Sequence, residues 1–437
     1  MAAVGMATVG MASDRSSDQS LPLALGIDFG TSGVRAAVVN PQRHLCWEYR
    51  SSYPDLPAPE NWRQALFTLL ENLPSVIGGQ VGRVAIDGTS ATVLLCDRVG
   101  QSLTPPLIYN HPCRDALAAV RQIVPPDSPA ASATASLTKL IWWYQTLPQE
   151  TWSRATHLLH QVDWLSAHLH GRWGLSDYHN SLKLGYDVGN LRYPQTMLNQ
   201  PWSRLLPQVI APGAVMGPVT TAIAQQYHLS PQCQVVAGTT DSIAAFLASG
   251  ASDPGDGVTS LGSTLAIKLL SETRVDAGEY GIYSHRLGGR WLVGGASNTG
   301  GAVLAKFFSQ AELVRLSDRI DPHAPPNAPT GLDYYPLLQS GERFPINDPD
   351  LPPRLTPRPA DDVAFLHGLL EGMARIEQRG YELLEQLGAT PLRQIYTAGG
   401  GAANHTWRQL RASRIPAPIK NAASAEAAVG SAYLGLG

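Results

Sequence analysis

The spacing of apolar residues separates strands from helices along this chain. Residues 23–29 form a nearly continuous apolar run, Gly30-Thr31-Ser32-Gly33 supplies a tight turn, and residues 34–39 are apolar again. This pattern predicts a hairpin over residues 23–40. A third strand is expected around residues 46–53. Over residues 61–73 the period becomes helical, with Trp62, Leu66, Leu69 and Leu70 on one side, and residues 81–87 and 93–97 then read as strands. Three strands, a helix and a further strand make a mixed α/β unit, not a simple alternating βαβ series.

The middle, roughly residues 115–225, carries helical spacing over 137–146 and 161–169 and is rich in Trp and His. A similar unit then restarts. Residues 235–238 read as a strand, 241–248 as a helix, and 257–263 with 265–270 as a second hairpin around Gly262-Ser263-Thr264. Residues 322–359 are Pro-rich and read as an irregular surface excursion. The end alternates again: a helix over 362–387, a strand over 394–398, then helices from about Asn404 and Ala425. The first 20 residues are rich in Ala, Gly, Ser and Met, without the charged start and compact apolar stretch of a secretory signal, and are expected to form a disordered tail. The expected division is a tail over 1–20, an N-terminal domain over 21–232 and a C-terminal domain over 233–437.

With 437 residues, 44% hydrophobic and 15% charged, the chain can bury a large core. Its formal net charge of -3 offers no excess of cations for a phosphate backbone, so nucleic acid is not an expected partner. No run of about 18 apolar residues occurs, and no membrane span is expected. Cys46, Cys96, Cys113 and Cys233 lie far apart with no Cys-x-x-Cys pair. That suits a reducing compartment such as the cytoplasm and argues against a disulfide or zinc scaffold.

Four segments carry candidate chemistry. In Gly26-Ile27-Asp28-Phe29-Gly30-Thr31-Ser32-Gly33 an Asp at a strand end precedes Gly and a hydroxyl residue. The carboxylate can orient hydrated Mg²⁺, while Gly30 and Thr31 let backbone and hydroxyl donors approach phosphate; the same residues also make an ordinary hairpin turn. Gly262, Ser263 and Thr264 could supply a facing cradle or simply another turn. Asp241, after Thr239-Thr240, stands at a strand-to-helix junction, where it either serves a ligand or caps the helix. Gly399, Gly400 and Gly401, with Asn404, lie between a strand and a helix. They permit close approach of a ligand or merely connect the elements. No P-loop pattern occurs. His157, His160, His168 and His170 lack a metal-binding spacing and read as core or surface histidines. Trp142-Trp143 and Trp164 read as helix packing.

Taken in order, these segments resemble the FGGY family of carbohydrate kinases from about Leu23 to Gly437. The match continues through Ala244-Ala245-Phe246, Gly294 to Gly301, and Trp407-Arg408-Gln409. The resemblance implies an α/β, actin-like (ribonuclease H-like) ATPase fold, with two domains flanking a deep cleft where ATP and a sugar meet. It implies Asp241 as catalytic base and Asp28 as the residue that orients Mg²⁺, through water. ATP would contact Gly30, Thr31, Gly262, Ser263, Thr264, Gly399, Gly400, Gly401 and Asn404. On the sugar side, Asp87, Thr89, Ser90 and Thr92, with Asp241, are expected to hold the substrate. The run Asp87-Gly88-Thr89-Ser90-Ala91-Thr92 departs from the Ser-Gly-Gln-Met-His-Gly pattern of typical xylulose kinases. It looks more like the corresponding stretch of ribulose kinases, and compact ribulose or xylulose kinase-like proteins of cyanobacteria and plastids are the nearest in kind. Tyr109-Asn110 with Arg114 resembles a family segment with one residue too many. D-ribulose is therefore the expected acceptor, D-xylulose the alternative, and an actin-like ATPase acting on a protein partner the reading from another class.

Overall fold

The computed structural model describes residues 22–53, 58–321 and 331–437. The tail expected over residues 1–20 lies outside the described residues. Two six-stranded sheets organise the rest. In the first, β1 (Leu23–Phe29), β2 (Gly33–Val39) and β3 (Leu45–Ser52) form an antiparallel meander. The helix Pro59–Glu71 then returns the chain to β4 (Val81–Gly88), parallel to β1. Two small ladders follow, β5 (Val93–Cys96) with β6 (His157–His160) and β7 (Leu175–Asp177) with β8 (Gln208–Ile210). Next, β9 (Val215–Pro218) and β10 (Gln234–Thr240) complete the sheet in the order β3-β2-β1-β4-β10-β9. Residues 93–96 are a strand as expected, but they pair away from the main sheet.

Residue size explains how β1 sits between two layers. Leu25, Ile27 and Phe29 point into a core shared with Trp62, Leu66 and Leu69 of the first helix and Val162 and Leu165 of the helix Gln161–His170. Each such side chain contributes roughly 1.5–3 kcal/mol when fully buried. The other face carries Ala24, which packs with Ala428, Val429 and Ala432 of the C-terminal helix Ala427–Leu436. That helix also lies against the helix Asp241–Ala248. A Cβ on Gly430 would stand 1.8 Å from the Ala244 carbonyl oxygen, so only glycine permits this close crossing.

The second sheet contains β11 (Asp256–Leu261), β12 (Leu265–Ser271), β13 (Tyr283–Leu287), β14 (Arg290–Ser297), β15 (Gln394–Ala398) and β16 (Ile419–Asn421), in the order β13-β14-β12-β11-β15-β16. Its β14-β12-β11-β15-β16 portion repeats the β3-β2-β1-β4-β10 arrangement: an antiparallel meander followed by two parallel strands. The long helix Asp362–Gln386 makes the second crossover.

Two expectations need correction. The boundary placed between 232 and 233 falls ahead of β10, which belongs to the first sheet because it pairs with β4 and β9. The change of sheet comes after the helix Asp241–Ala248, and the C-terminal helix returns to the first sheet. The described part of the Pro-rich segment is irregular but is not a surface excursion: Tyr334, Leu337 and Phe344 are buried in the second core, with Phe344 beside β14 at Gly295. The Gly294–Gly301 segment runs from the end of β14 to the start of the helix Gly301–Phe307.

Candidate active site

The parallel strands β1, β4 and β10 are neighbours and end at the same edge, where ligands of open α/β sheets bind. Asp28 and Asp87 are directly in register, and Asp241 follows the last residue of β10. Asp28 is 4% exposed, and its Oδ2 accepts a hydrogen bond from Arg35 Nη1 at 3.1 Å. Asp87 is 0% exposed, and its Oδ2 accepts from Ser431 Oγ at 2.5 Å. No N–H or other hydroxyl serves the second oxygen of either carboxyl group; the two carboxyl groups face each other within hydrogen-bond reach, so that a proton on Asp87 can be donated to Asp28. Burial raises the pKa of both. Asp87 rises furthest, because it is sealed and also faces the charges of Asp28 and Asp241.

Asp241 opens its helix without capping it in the usual way. Its Oδ1 accepts from the Ser242 N–H at 2.6 Å, and burial raises its pKa while Lys268 and Lys183 oppose the rise. Just before it, Thr239 Oγ1 and His179 Nδ1 lie 2.7 Å apart, and His179 Nε2 is 2.6 Å from the Arg286 carbonyl oxygen. A carbonyl only accepts, so Nε2 carries the proton and Thr239 donates to Nδ1. Burial holds His179 down to about 4, so it stays neutral. This ring joins β10 to β13 and so ties the two sheets together beside Asp241.

Among the residues expected to hold sugar, Ser90 at the loop tip and Asp241 are left half-buried. Asp87 lies beneath Asp28. The Thr89 and Thr92 hydroxyls bond each other at 2.6 Å, and Thr92 Oγ1 also accepts from the Tyr109 N–H at 3.0 Å. The structure thus turns Asp87, Thr89 and Thr92 into the wall of the loop instead of its open face. Buried Lys139 fastens the same loop, donating to the carbonyl oxygens of Ala91 at 2.7 Å and Ile108 at 2.6 Å. Of the four histidines noted in the sequence, His160 is buried with its Nδ1 2.9 Å from Asp163 Oδ2, and His168 stacks edgewise on Trp164.

On the second sheet, the β11–β12 turn Gly262–Ser263–Thr264 is held from below. Gly301 N–H donates to the Gly262 carbonyl oxygen at 2.8 Å and Ala302 N–H to that of Ser263 at 3.1 Å. Beside it opens a cavity of about 740 Å³, reached by Ser263, Phe308, Ser317, Gly400, Asn404 and Trp407, among others. That volume lies in the range of small-molecule sites. Gly399 has φ +83°, and a Cβ there would stand 2.8 Å from the Leu261 carbonyl group. Glycine therefore lets the loop lie flat on β11 and leaves Gly400 open to the cavity. Asn404 serves the wall: its Oδ1 accepts from Trp407 N–H at 2.9 Å, and its Nδ2 donates to Ser317 Oγ at 2.8 Å. Gly30 and Thr31 belong to the β1–β2 turn, where Gly30 N–H donates to the Gly33 carbonyl oxygen at 3.1 Å and Thr31 is exposed.

Among the described residues no three His, Cys, Asp or Glu side chains converge as direct metal ligands. A carboxylate at the end of β1, as Asp28 is, suits Mg²⁺ held through water, since the ion keeps several waters and takes other oxygens from phosphates. Sequence reasoning missed Lys268, Lys183, His179 and Lys139. Lys268 had a visible signal, a single lysine inside an otherwise apolar strand. The others are brought close only by the tertiary fold.

Two repeated sheets, with carboxylates at the strand ends of one and a glycine-turn cavity beside the other, make an actin-like, ribonuclease H-like fold. Residues 257–436 match the FGGY family of carbohydrate kinases, C-terminal domain. Over 417 residues the chain is 24% identical to the xylulose kinase of Lactococcus lactis subsp. lactis, covering 89% of this chain and 82% of that protein. The crystal structure of xylulose kinase from Rhodospirillum rubrum superposes with a TM-score of 0.81 at 20% identity, covering 94% of this chain and 89% of that one. Plasmodium falciparum glycerol kinase with ADP gives 0.79 at 16% identity, covering 94% and 88%. Residues 257–436 thus carry a stretch similar to the C-terminal domain of the FGGY carbohydrate kinases, a family whose reaction implies ATP as phosphoryl donor.

Proposed function

We propose that this kinase transfers the γ-phosphoryl group of ATP to a hydroxyl of a D-ketopentose, with Asp241 as general base and D-ribulose as the preferred acceptor. The observation that carries the reading is the placement of Asp28 and Asp241 at the same edge of one sheet, on strands flanking β4, with the cavity beside the glycine turn on the other. ATP lies with its base in that cavity and its phosphates near Gly262, Ser263 and Thr264. Gly30 and Thr31 approach the phosphates from the first sheet, and Asp28 would hold Mg²⁺ through water. Bound Mg²⁺ would neutralise phosphate charge. The acceptor hydroxyl is presented to Asp241, which takes its proton as the oxygen forms a bond to the γ-phosphorus and the bond to ADP breaks. Such transfer depends chiefly on positioning and charge stabilisation. Ser90 touches the sugar, while Asp87, Thr89 and Thr92 hold the loop and Asp28 in place.

The choice of ribulose rests on the Asp87–Thr92 segment, which carries Ser90-Ala91 where a Met-His pair is typical of xylulose kinases. The names of the relatives favour D-xylulose, and that is the second reading. The two sugars differ at one hydroxyl-bearing carbon, and a site that hydrogen-bonds that hydroxyl can separate them strongly. ADP release measured with pentuloses, hexuloses and polyols tests both. Ribulose is expected to give the highest kcat/KM. An equal or higher value for xylulose transfers the assignment, and ATP turnover indifferent to added sugar removes the kinase reading.

A further inference from the structure

Lys268 lies on the second sheet yet reaches the residue beside Asp241, which belongs to the first. Its Nζ donates to the Ser242 carbonyl oxygen and, at 2.9 Å, to Ser242 Oγ. Ser242 in turn donates its N–H to Asp241 Oδ1 at 2.6 Å. Lys268 therefore grips the first turn of the helix Asp241–Ala248 from across the cleft. It stands three residues after Leu265, where β12 leaves the Gly262–Thr264 turn. One strand thus holds both the phosphate turn at its start and the support of the base further along. Accepting Asp241 as the base, we propose that Lys268 is a positioning residue that fixes the base-bearing helix turn to the nucleotide sheet and places a compensating positive charge beside Asp241.

The charge is needed because of what else faces Asp241. Asp28 repels its ionised form, and Asp87 lies close enough to feel the charge of both. Against these stand Lys268 and Lys183. His179 and His285 add no charge, since burial holds both far on the neutral side. The partnership is mutual: burial brings Lys268 down to about 8, and Asp241 is what resists the fall. A lysine used only to pin a helix would need its donors but not its charge, and that difference makes the inference testable.

The rate requires ionised Asp241, so it falls on the acid side as pH drops through the pKa of that group. Removing a nearby cation raises that pKa and moves the acid limb upward. Lys268→Gln keeps a hydrogen-bond donor and loses the charge; Lys268→Arg keeps both. The measurement is kcat against pH for each, with thermal melting as the check on folding. For Lys268→Gln we expect the acid limb to rise by about one pH unit, with kcat at neutral pH down about tenfold or more. Lys268→Arg should leave the limb in place. An unmoved limb in Lys268→Gln, or an equal movement in Lys268→Arg, overturns the proposal. Asp241→Asn separates the two levels. If it is inactive while the Lys268→Gln limb stays put, only the role of Lys268 fails; if it remains active, the base assignment fails and takes this inference with it.

Discussion

In the first sheet β1 and β4 carry Asp28 and Asp87 one residue before their ends and β10 leads into Asp241, whereas in the second sheet β11 and β15 carry Ser260 and Thr397 in the same places and β16 leads into Ala422. One arrangement of strands is used twice, and the ionisable groups have gone to one copy. The helix Asp362–Gln386 over the second sheet does bury an acid, but it is spent internally. Glu377 is clasped by Arg411 through Nε at 2.5 Å and Nη2 at 2.7 Å, with Thr259 adding a hydroxyl donor at 2.5 Å. The difference follows from the ligands proposed for each side. A polyphosphate would be repelled by carboxylates at its cradle, so neutral glycine and hydroxyl groups suit the second sheet. Orienting a cation and taking a proton both need carboxylates, and these stand on the first.

The hardest way to break this comparison is to remove the base. Asp241→Asn keeps size and shape but cannot take a proton, and a general base contributes roughly 10²–10⁴-fold. A loss of that size in kcat, with nucleotide affinity retained, is expected. Retention of more than about a tenth of the wild-type rate would reduce Asp241 to a helix-end residue. Asp28→Ala should behave differently, weakening the use of Mg-ATP itself.

A second test addresses the acid that the nucleotide lobe conceals. Arg411→Met leaves Glu377 buried without its cation, which costs about 3–5 kcal/mol when a buried pair is broken. The melting temperature should fall by several degrees, and adding Glu377→Gln should recover part of the loss. If the single variant melts like wild type, the pair is not what stabilises the packing of Thr259 and Thr397. Smaller again is Ser263→Asp, which places a carboxylate on the neutral turn. The KM for ATP should rise about tenfold, equivalent to about 1.4 kcal/mol, with little change in KM for sugar. An unchanged KM for ATP would remove the turn from the phosphate path.

Both hairpins were legible because each is a local event, two short apolar runs around glycine and hydroxyl residues. The helix Asp241–Ala248 and strand Gln394–Ala398 were bounded correctly for the same reason. What could not be read was pairing at a distance. Nothing local in residues 427–436 says that they return to β1 and β4. The Pro-rich segment looked peripheral because proline disrupts regular pairing, yet Tyr334 and Phe344 between the prolines fill the second core. At the site, the identities of Asp28 and Asp241 were visible in the sequence. Their more distant supports were not: Asp87 with Ser431 beside Asp28, and Lys268 on Ser242 beside Asp241, are brought there only by the fold.

Lys139 offers the mildest test, on the sugar side, where a cation is buried without a carboxylate beside it. It is 0% exposed, and its hydrogen bonds run to two backbone carbonyls. Burial brings its pKa down to about 7, with Lys183 adding to the fall. In the unfolded chain a lysine titrates near 10.4. Between those values the unfolded state binds more protons than the folded one, so stability should rise with pH from about 7 towards 10. Lys139→Met removes that slope, and melting curves at several pH values compare the two directly. The same variant frees the Ala91 and Ile108 carbonyls, so the loop bearing Ser90 should loosen and the KM for sugar rise several-fold, while the KM for ATP stays put. A rise in both KM values would mean that Lys139 supports the cleft as a whole. Parallel melting temperatures across the pH range would mean that the lysine keeps an ordinary, fully charged state in the folded protein. The contrast between an acidic sheet and a neutral one would then extend to a cation held permanently beside the sugar.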